Sequence, residues 1–221
     1  MSLRISVLVL ALLAASCGDQ DITFVLDPSA KGELERLPGA IRIGVSDGGE
    51  QKKIEIRSGT IKPLAEPIGA TKESRGSSSS GGATMLPDRP DVEYKGPYVF
   101  SPTRRYVAAA VIDSGSQLFY SSAFSVVDVS DKKVIATIKG DTKEAVSALA
   151  WSPDSEAIAV LRTIEYPSGF SIRSVISSMS GHPMRSETYF LEIYDRSGQR
   201  RARAKLAERV PQSLAEMAWV N

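Results

Sequence analysis

The 221-residue chain contains one cysteine and one histidine. The lone Cys17 cannot close an internal disulfide, so the fold must be held by its core. The lone His182, in the loop-like string "SGHPM", has no second histidine or cysteine with which to build an ordinary zinc site, and neither a metal nor another cofactor is expected. The sequence has no Gly-x-Gly-x-x-Gly turn and no Walker-type loop; its one Gly-x-Ser-x-Gly string, Gly44-Val45-Ser46-Asp47-Gly48, runs into the hairpin loop Ser46-Asp47-Gly48-Gly49 between two strand-like runs and so lacks the strand-to-helix turn of a nucleophile elbow, and "SSSSGG" lacks the lysine that a phosphate loop requires. Charge of one sign is missing too: 27 lysines and arginines stand against 26 aspartates and glutamates, a formal net charge of +1. Nucleic acid is therefore not an expected partner. The N-terminal apolar run, Ile5 to Ala15, is well short of the roughly 20 residues that a spanning helix needs.

What that N-terminus does have is the layout of an export signal. Arg4 supplies a positive n-region, Ile5 to Leu13 an apolar h-region, and Ala14, Ala15 and Ser16 a small-residue cleavage site. Leu13-Ala14-Ala15-Ser16-Cys17 resembles the lipobox of bacterial lipoproteins, with Ala in place of Leu three positions before the cysteine. The resemblance implies a signal peptide at 1–16, acylation of Cys17, and a lipidated tether at 17–21. Several acyl chains, at about 0.8 kcal/mol per buried methylene, would hold the chain durably on a membrane outside the cytoplasm. Ordinary secretion with a free thiol at Cys17 is the alternative. Asp19, Asp21 and Asp27 lack calcium-loop spacing and are read as solvated residues near the tether.

The body of the chain is patterned for strands. In "AVSALAWSPDSEAIAVLR", Trp151-Ser152-Pro153-Asp154 is a tight reversal between two strand-like runs, since proline fixes its own φ while serine and aspartate bond nearby amides. Ala157, Ala159 and Leu161 alternate with Ile158 and Val160, so both faces of the second run are apolar and an interior strand is expected. An earlier stretch, "YVFSPTRRYVAAAVID", repeats the order: Phe100, Ser101 and Pro102, then a strand from Tyr106 to Ile112. Downstream, "SVVDVSDKKVIATIK" and "LEIYDRSGQRRARAKL" each read as strand, polar turn and strand, turning at Asp131-Lys132 and Ser197-Gly198. The final "LAEMAWVN" echoes "VSALAWSP", with Trp219 in the place of Trp151.

These repeats resemble the aromatic-Ser-Pro-Asp-Gly turns of TolB-type, WD-like β-propeller blades, with Asp128 and Asp195 near the place where such blades carry aspartate before their final hairpin. The likeness covers residues 93–221. Thr103-Arg104 and Asp154-Ser155 replace Asp-Gly, which removes easy access to positive φ. The resemblance implies an all-β fold: a partial β-propeller of about two full four-stranded blades (93–139 and 140–212), the start of a third (213–221), and an N-terminal β segment (22–70). That segment contains the strand-like pieces "ITFVL", "AIRIGV" and "KKIEI". The Ser/Gly-rich stretch 71–92 is read as a linker, because it cannot bury enough surface to offset the entropy of ordering. A strand begun near residue 213 and stopped at Asn221 would leave an open edge. Three solutions follow: a second chain completes it (a homo-oligomer), it closes onto the N-terminal segment, or the chain is a truncated form of a longer propeller, the favoured reading.

No catalytic residue is expected. The rings of Phe100, Trp151 and Trp219 are read as core wedges between neighbouring sheets. Arg200, Arg201, Arg203 and Lys205 are the candidate interaction residues. Arg201, Arg203 and Lys205 share one strand face with Ala202, Ala204 and Leu206 opposite, the pattern of a solvated outer strand that could meet an acidic protein or anionic headgroups. The insertion from Tyr166 to Ser186, with Phe170, Met179 and Met184, is either a second contact surface or a simple extended hairpin. The function expected is that of a lipid-anchored, non-enzymatic extracytoplasmic protein acting through contacts with an envelope protein. The alternatives are a propeller region of a larger hydrolase and a small-ligand-binding envelope protein.

Overall fold

The computed structural model describes residues 23–46, 51–68, 86–87, 90–113, 121–141, 143–167, 185–211 and 214–221. Residues 1–22, with the proposed signal peptide, Cys17 and tether, lie outside the described residues. So do most of the Ser/Gly-rich stretch, residues 168–184 of the insertion, and His182.

Among the described residues the chain is all-β apart from one short helix, and the strands form three antiparallel four-stranded sheets. A first repeat sheet contains β4 (Val92–Phe100), β5 (Tyr106–Asp113), β6 (Ala123–Asp128) and β7 (Lys133–Lys139), side by side in chain order. A second repeat sheet contains β8 (Glu144–Trp151), β9 (Ala157–Pro167), β10 (Arg185–Asp195) and β11 (Arg200–Pro211), again in order. The third, terminal sheet joins both ends of the chain. Its order is β12 (Leu214–Val220), β1 (Ala40–Ser46), β2 (Gln51–Arg57) and β3 (Thr60–Pro63).

The terminal sheet shows which of the three solutions the last strand adopts, closure onto the N-terminal segment, and corrects the reading of that segment as a separate β element. The last strand does not have an open edge on both sides, because it pairs antiparallel with β1 from Ala40↔Val220 to Ser46↔Leu214. Nor do the N-terminal strands form a sheet of their own. The physical reason is matched alternation: Ile41, Ile43 and Val45 on β1 face the same way as Met217 and Trp219 on β12, and all five enter one buried cluster. The indole of Trp219 also donates to the Pro38 carbonyl at 2.7 Å. Gly39, at φ 73, sits so close to the last strand that a Cβ there would fall 2.0 Å from the Val220 carbonyl oxygen.

Two further departures lie before β1. The described part of "ITFVL" forms no strand; its amide at Val25 donates to Leu206 on the free edge of β11 (2.7 Å), and the chain then turns into helix α1 (Pro28–Glu35). Proline at a first helical position is pre-set for a helix and cannot extend a ladder. The helix is short and carries Gly32, so its periodicity is hard to read, yet Ala30 and Leu34 are buried in the same cluster as β1. Strand β3 also went unread.

The core lies in two seams on either side of the second repeat sheet. Trp151, Leu149, Ile158, Val160 and Tyr194 face the first repeat sheet and meet Tyr106, Ala108, Ala110, Phe124 and Val126. Ala148, Ala150, Ala159, Leu161, Leu191 and Ile193 face the terminal sheet and meet Ile41, Ile43, Val45, Met217 and Trp219. Ile158 through Leu161 are fully buried, as an interior strand covered on both faces must be. Trp151 stacks on Tyr106 (centroids 6.1 Å apart) and its indole donates to the Val99 carbonyl at 2.9 Å, so one residue joins two sheets. Phe100 does not wedge in this way. By strand alternation it shares a face with Val107, away from the second repeat sheet, where it packs edge-on to Tyr98 under the guanidinium of Arg104.

The two aromatic-Ser-Pro turns are built alike. The Ser101 amide donates to Tyr106 and the Ser152 amide to Ala157, both at 2.8 Å. The serine hydroxyls accept from the amides of Tyr106 and Ala157. Ser101 Oγ also meets Thr103, and Ser152 donates to Asp154 at 2.6 Å; Pro102 and Pro153 fill the next turn position. Arg104 and Ser155, standing where glycine would be easiest, are nonetheless forced to φ 57 and φ 65. An L-residue held there costs roughly 1–2 kcal/mol, and the buried Ser155 hydroxyl makes no hydrogen bond. Ser155→Gly is therefore expected to stabilise the fold by about 1 kcal/mol after the entropy lost by glycine, raising the midpoint of thermal unfolding by about 2–4 °C. An unchanged or lower midpoint in a melt followed by circular dichroism would contradict that account of the turn.

Candidate functional site

The most concentrated chemistry among the described residues is an ionic cluster in the seam between the repeat sheets. Arg162 continues the apolar run of β9, and its side chain is wholly buried. Because β9 is interior, a charge at this position has no route to solvent and needs partners inside. Its Nε donates to Glu192 on β10 at 2.6 Å, and its Nη1 donates to the Ser122 carbonyl of the first repeat sheet at 2.8 Å. The guanidinium lies 6.0 Å from the Phe124 ring centroid. Gly140, whose amide donates to the same Ser122 carbonyl, leaves the space the guanidinium fills; a Cβ there would stand 2.3 Å from Nη1.

Glu192, 1% exposed, also accepts from the Tyr194 hydroxyl (2.8 Å) and from Arg200 (3.3 Å), with Arg203 at 3.3 Å. Arg203 further donates to Glu144 at the head of β8. Burial, then the charge of Glu192, holds the Tyr194 phenol above its ordinary value, so it stays a donor. Arg162 and Arg203 thus offset Glu144 and Glu192, while Arg200 reaches in from outside. The cluster ties β8, β9, β10 and β11 to one another and to the first repeat sheet.

The candidate interaction residues are accordingly divided. Arg203 covers the Phe190 ring (4.5 Å) and is committed to the interior carboxylates. Arg200 and Arg201 remain about half exposed, at 51% and 55% of their side chains, although Arg200 touches Glu192 and Arg201 donates to Asp195 at 2.8 Å. Lys205 is exposed. Trp151, Ser152, Pro153, Asp154, Phe100, Ser101, Pro102 and Trp219 stand in turns and cores and form no common pocket-like site. Sequence reasoning missed Arg162, Glu192, Glu144 and Gly140. The signal that would have found them is a charge directly after the all-apolar run Ala157 to Leu161 of an interior strand, and a glutamate between Leu191 and Ile193.

Asp128 and Asp195 repeat one role. Each closes its third strand and accepts turn bonds: Asp128 from the amides of Ser130 and Asp131 and from Arg105, Asp195 from Ser197, the Gln199 amide and Arg201. Burial alone would raise both carboxyls, but these bonds outweigh it and hold both below the usual aspartate range. At the same end, Arg105 and Arg196 lie 5.2 and 4.7 Å from the Tyr106 ring centroid.

Among the described residues no group of histidine, cysteine, aspartate and glutamate side chains could hold a metal ion. The Ser101 and Ser152 hydroxyls are engaged in their own turns. No protein-family model matches the chain, and no curated protein matches it.

Two outcomes follow from this geometry. Arg162→Met should destabilise the fold by about 3–5 kcal/mol in urea denaturation, since it leaves Glu192 buried without its main partner. Adding Glu192→Leu should return part of that loss, a coupling of at least about 1 kcal/mol; strict additivity would show that the two groups act separately. For Asp128 and Asp195, the depressed folded value means that their stabilisation is complete above the ordinary aspartate pKa of about 4 and is lost as pH falls through the folded value. The gap in melting temperature between the wild type and an Asp195→Asn variant should be open at pH 7 and narrow below about pH 4; a gap that widened on acidification would reverse the sign.

Proposed function

We propose that this chain is a lipid-anchored, non-enzymatic extracytoplasmic protein with a β-propeller-like arrangement of its sheets, and that it acts by surface contact with other envelope components. The observation that carries the reading is the terminal sheet: β12 is completed by β1, β2 and β3, so each sheet among the described residues has four antiparallel strands running from a first strand to a last. The first strands lie together, β8 between β4 and β12. Propellers arrange four-stranded sheets around a central channel and often close with strands from both chain ends. The shared geometry of the turns at Ser101 and Ser152, with positive φ where TolB-type blades carry glycine, supports the same reading.

Such a body is stiff, because large rings and a buried ionic cluster fix its sheets, and stiffness suits a surface that recognises a partner without reorganising. The sequence from Arg4 to Cys17 supports export and acylation of the cysteine. Among the described residues no helix is long and apolar enough to cross a membrane, so attachment in this reading rests on the acyl chains.

In cells fed labelled palmitate, the wild-type chain should carry the label and sediment with membranes, while Cys17→Ala loses the label and moves to the soluble fraction. Crosslinking of the labelled chain in intact cells should yield a discrete adduct with an envelope protein. A label that persists in Cys17→Ala refutes the anchor, and an anchored chain with no adduct refutes the contact role.

A further inference from the structure

We infer that the edge formed by the last strands of the two repeat sheets, β7 and β11, is a docking surface for an anionic lipid bilayer, and that it holds the protein in a fixed orientation on its membrane. Three observations meet there. First, charge is sorted across the sheets. Strands β7 and β11 carry Lys133, Lys139, Arg200, Arg201 and Lys205, all exposed, with Glu208 near the end of β11 as their one carboxylate, whereas the first strands carry Glu93, Glu144 and Glu216 against Lys95. Second, the two edges form one surface. The β10–β11 turn lies against β7, where a Cβ on Gly198 would come within 2.9 Å of Ala136 and 3.1 Å of Ile138.

Third, the N-terminal segment leaves from this edge. Val25 donates to Leu206 of β11 at 2.7 Å, Phe24 and Leu26 pack inward, and Val25 itself is 62% exposed. The other exposed large apolar side chain among the described residues, Ile135, lies on β7. Cys17 precedes Thr23 by six residues, which even fully extended span only about 20 Å. An acyl anchor on Cys17 therefore keeps this edge, and not the first strands, next to the headgroups. Exposed lysines and arginines at that distance are drawn to anionic lipid within a Debye length. Arg201 keeps its bond to Asp195 and still exposes half of its side chain, so a headgroup phosphate can join without breaking it.

The inference rests on the anchor reading for Cys17, and the test separates the two. The full lipidated chain is reconstituted into vesicles of phosphatidylcholine alone or with phosphatidylglycerol, and lysine acetylation is followed by mass spectrometry. Lys133, Lys139 and Lys205 should react about fivefold or more slowly on the anionic vesicles only, protection that 1 M salt removes, while Lys143, in the turn leading into β8, reacts equally on both. Equal labelling of Lys133, Lys139 and Lys205 on the two vesicle types overturns the inference. Protection seen in native envelopes but not on anionic vesicles also overturns it, and assigns the edge to an acidic protein. An unacylated Cys17 in the intact mass sinks the anchor reading alone. In that event flotation of the mature chain with phosphatidylglycerol vesicles tests the edge: binding weakened about tenfold or more by Lys133→Gln, Lys139→Gln and Arg201→Gln together supports it, and no binding refutes it.

Discussion

A sheet that is apolar on both faces has to be covered on both faces. The second repeat sheet is such a sheet: Ile158 and Val160 face one way, Ala159 and Leu161 the other, and none of the four touches solvent. Leaving either face bare would expose branched side chains such as Ile158, Val160 and Leu161, each worth about 1.5–3 kcal/mol of burial. That requirement sets the layout. The first repeat sheet covers one face through Tyr106 and Phe124, and the terminal sheet covers the other through Trp219 and Ile43. The pairing of β12 with β1 follows from it, since the last strand alone would make too narrow a cover.

Where the seam is not apolar, it is fully ionic. Arg162 and Glu192 would each be costly alone inside the protein; Ser122 accepts from Arg162, Tyr194 and Arg200 donate to Glu192, and Arg203 and Glu144 balance the charge, while the buried Nη2 of Arg162 makes no hydrogen bond. Small residues make room for this: Gly140 faces the guanidinium, as Gly198 faces Ala136 and Ile138 where the two repeat sheets meet at their outer edge. The cluster makes the angle between the repeat sheets specific, because an arginine fork aimed at a carboxylate and a carbonyl tolerates less sliding than aliphatic contact does.

The same sorting of charge bears on function. Cations outnumber carboxylates on the last strands of the repeat sheets, where Glu208 is the one acid, and carboxylates outnumber cations on the first strands, so charge is unevenly placed although the formal net charge is only +1. An anchor rooted near β11 would turn that asymmetry into an orientation, leaving the rim at Ser101–Tyr106 and Ser152–Ala157 free for a partner. A rigid, oriented body presents the same surface to every partner that reaches it, which is what a contact protein requires.

Much of the secondary structure was legible in the chain because strand patterning is local. The alternation of "AIAVL", the recurrence of aromatic-Ser-Pro and the polar turns at Asp131-Lys132 and Ser197-Gly198 depend on neighbours a few residues away, and each repeat sheet came out with four strands in order. The alternation of Arg201, Arg203 and Lys205 against Ala202, Ala204 and Leu206 was legible for the same reason. Which face would be solvated was not: Arg203 is drawn to Glu144, 59 residues earlier, and Glu192. Likewise the ring of Phe100 occupies a repeat position, but whether a repeat ring becomes a wedge depends on a sheet lying opposite, and none of the described sheets does.

By itself, then, the sequence determined that the chain is all-β, where its turns fall, and which residues alternate toward an apolar side, since φ preferences and two-residue periodicity act within a strand. Only the tertiary structure decided that the two ends of the chain share a sheet and that a buried arginine joins the repeat sheets. Those choices balance burial and charge between residues far apart in sequence, a sum that no local stretch contains.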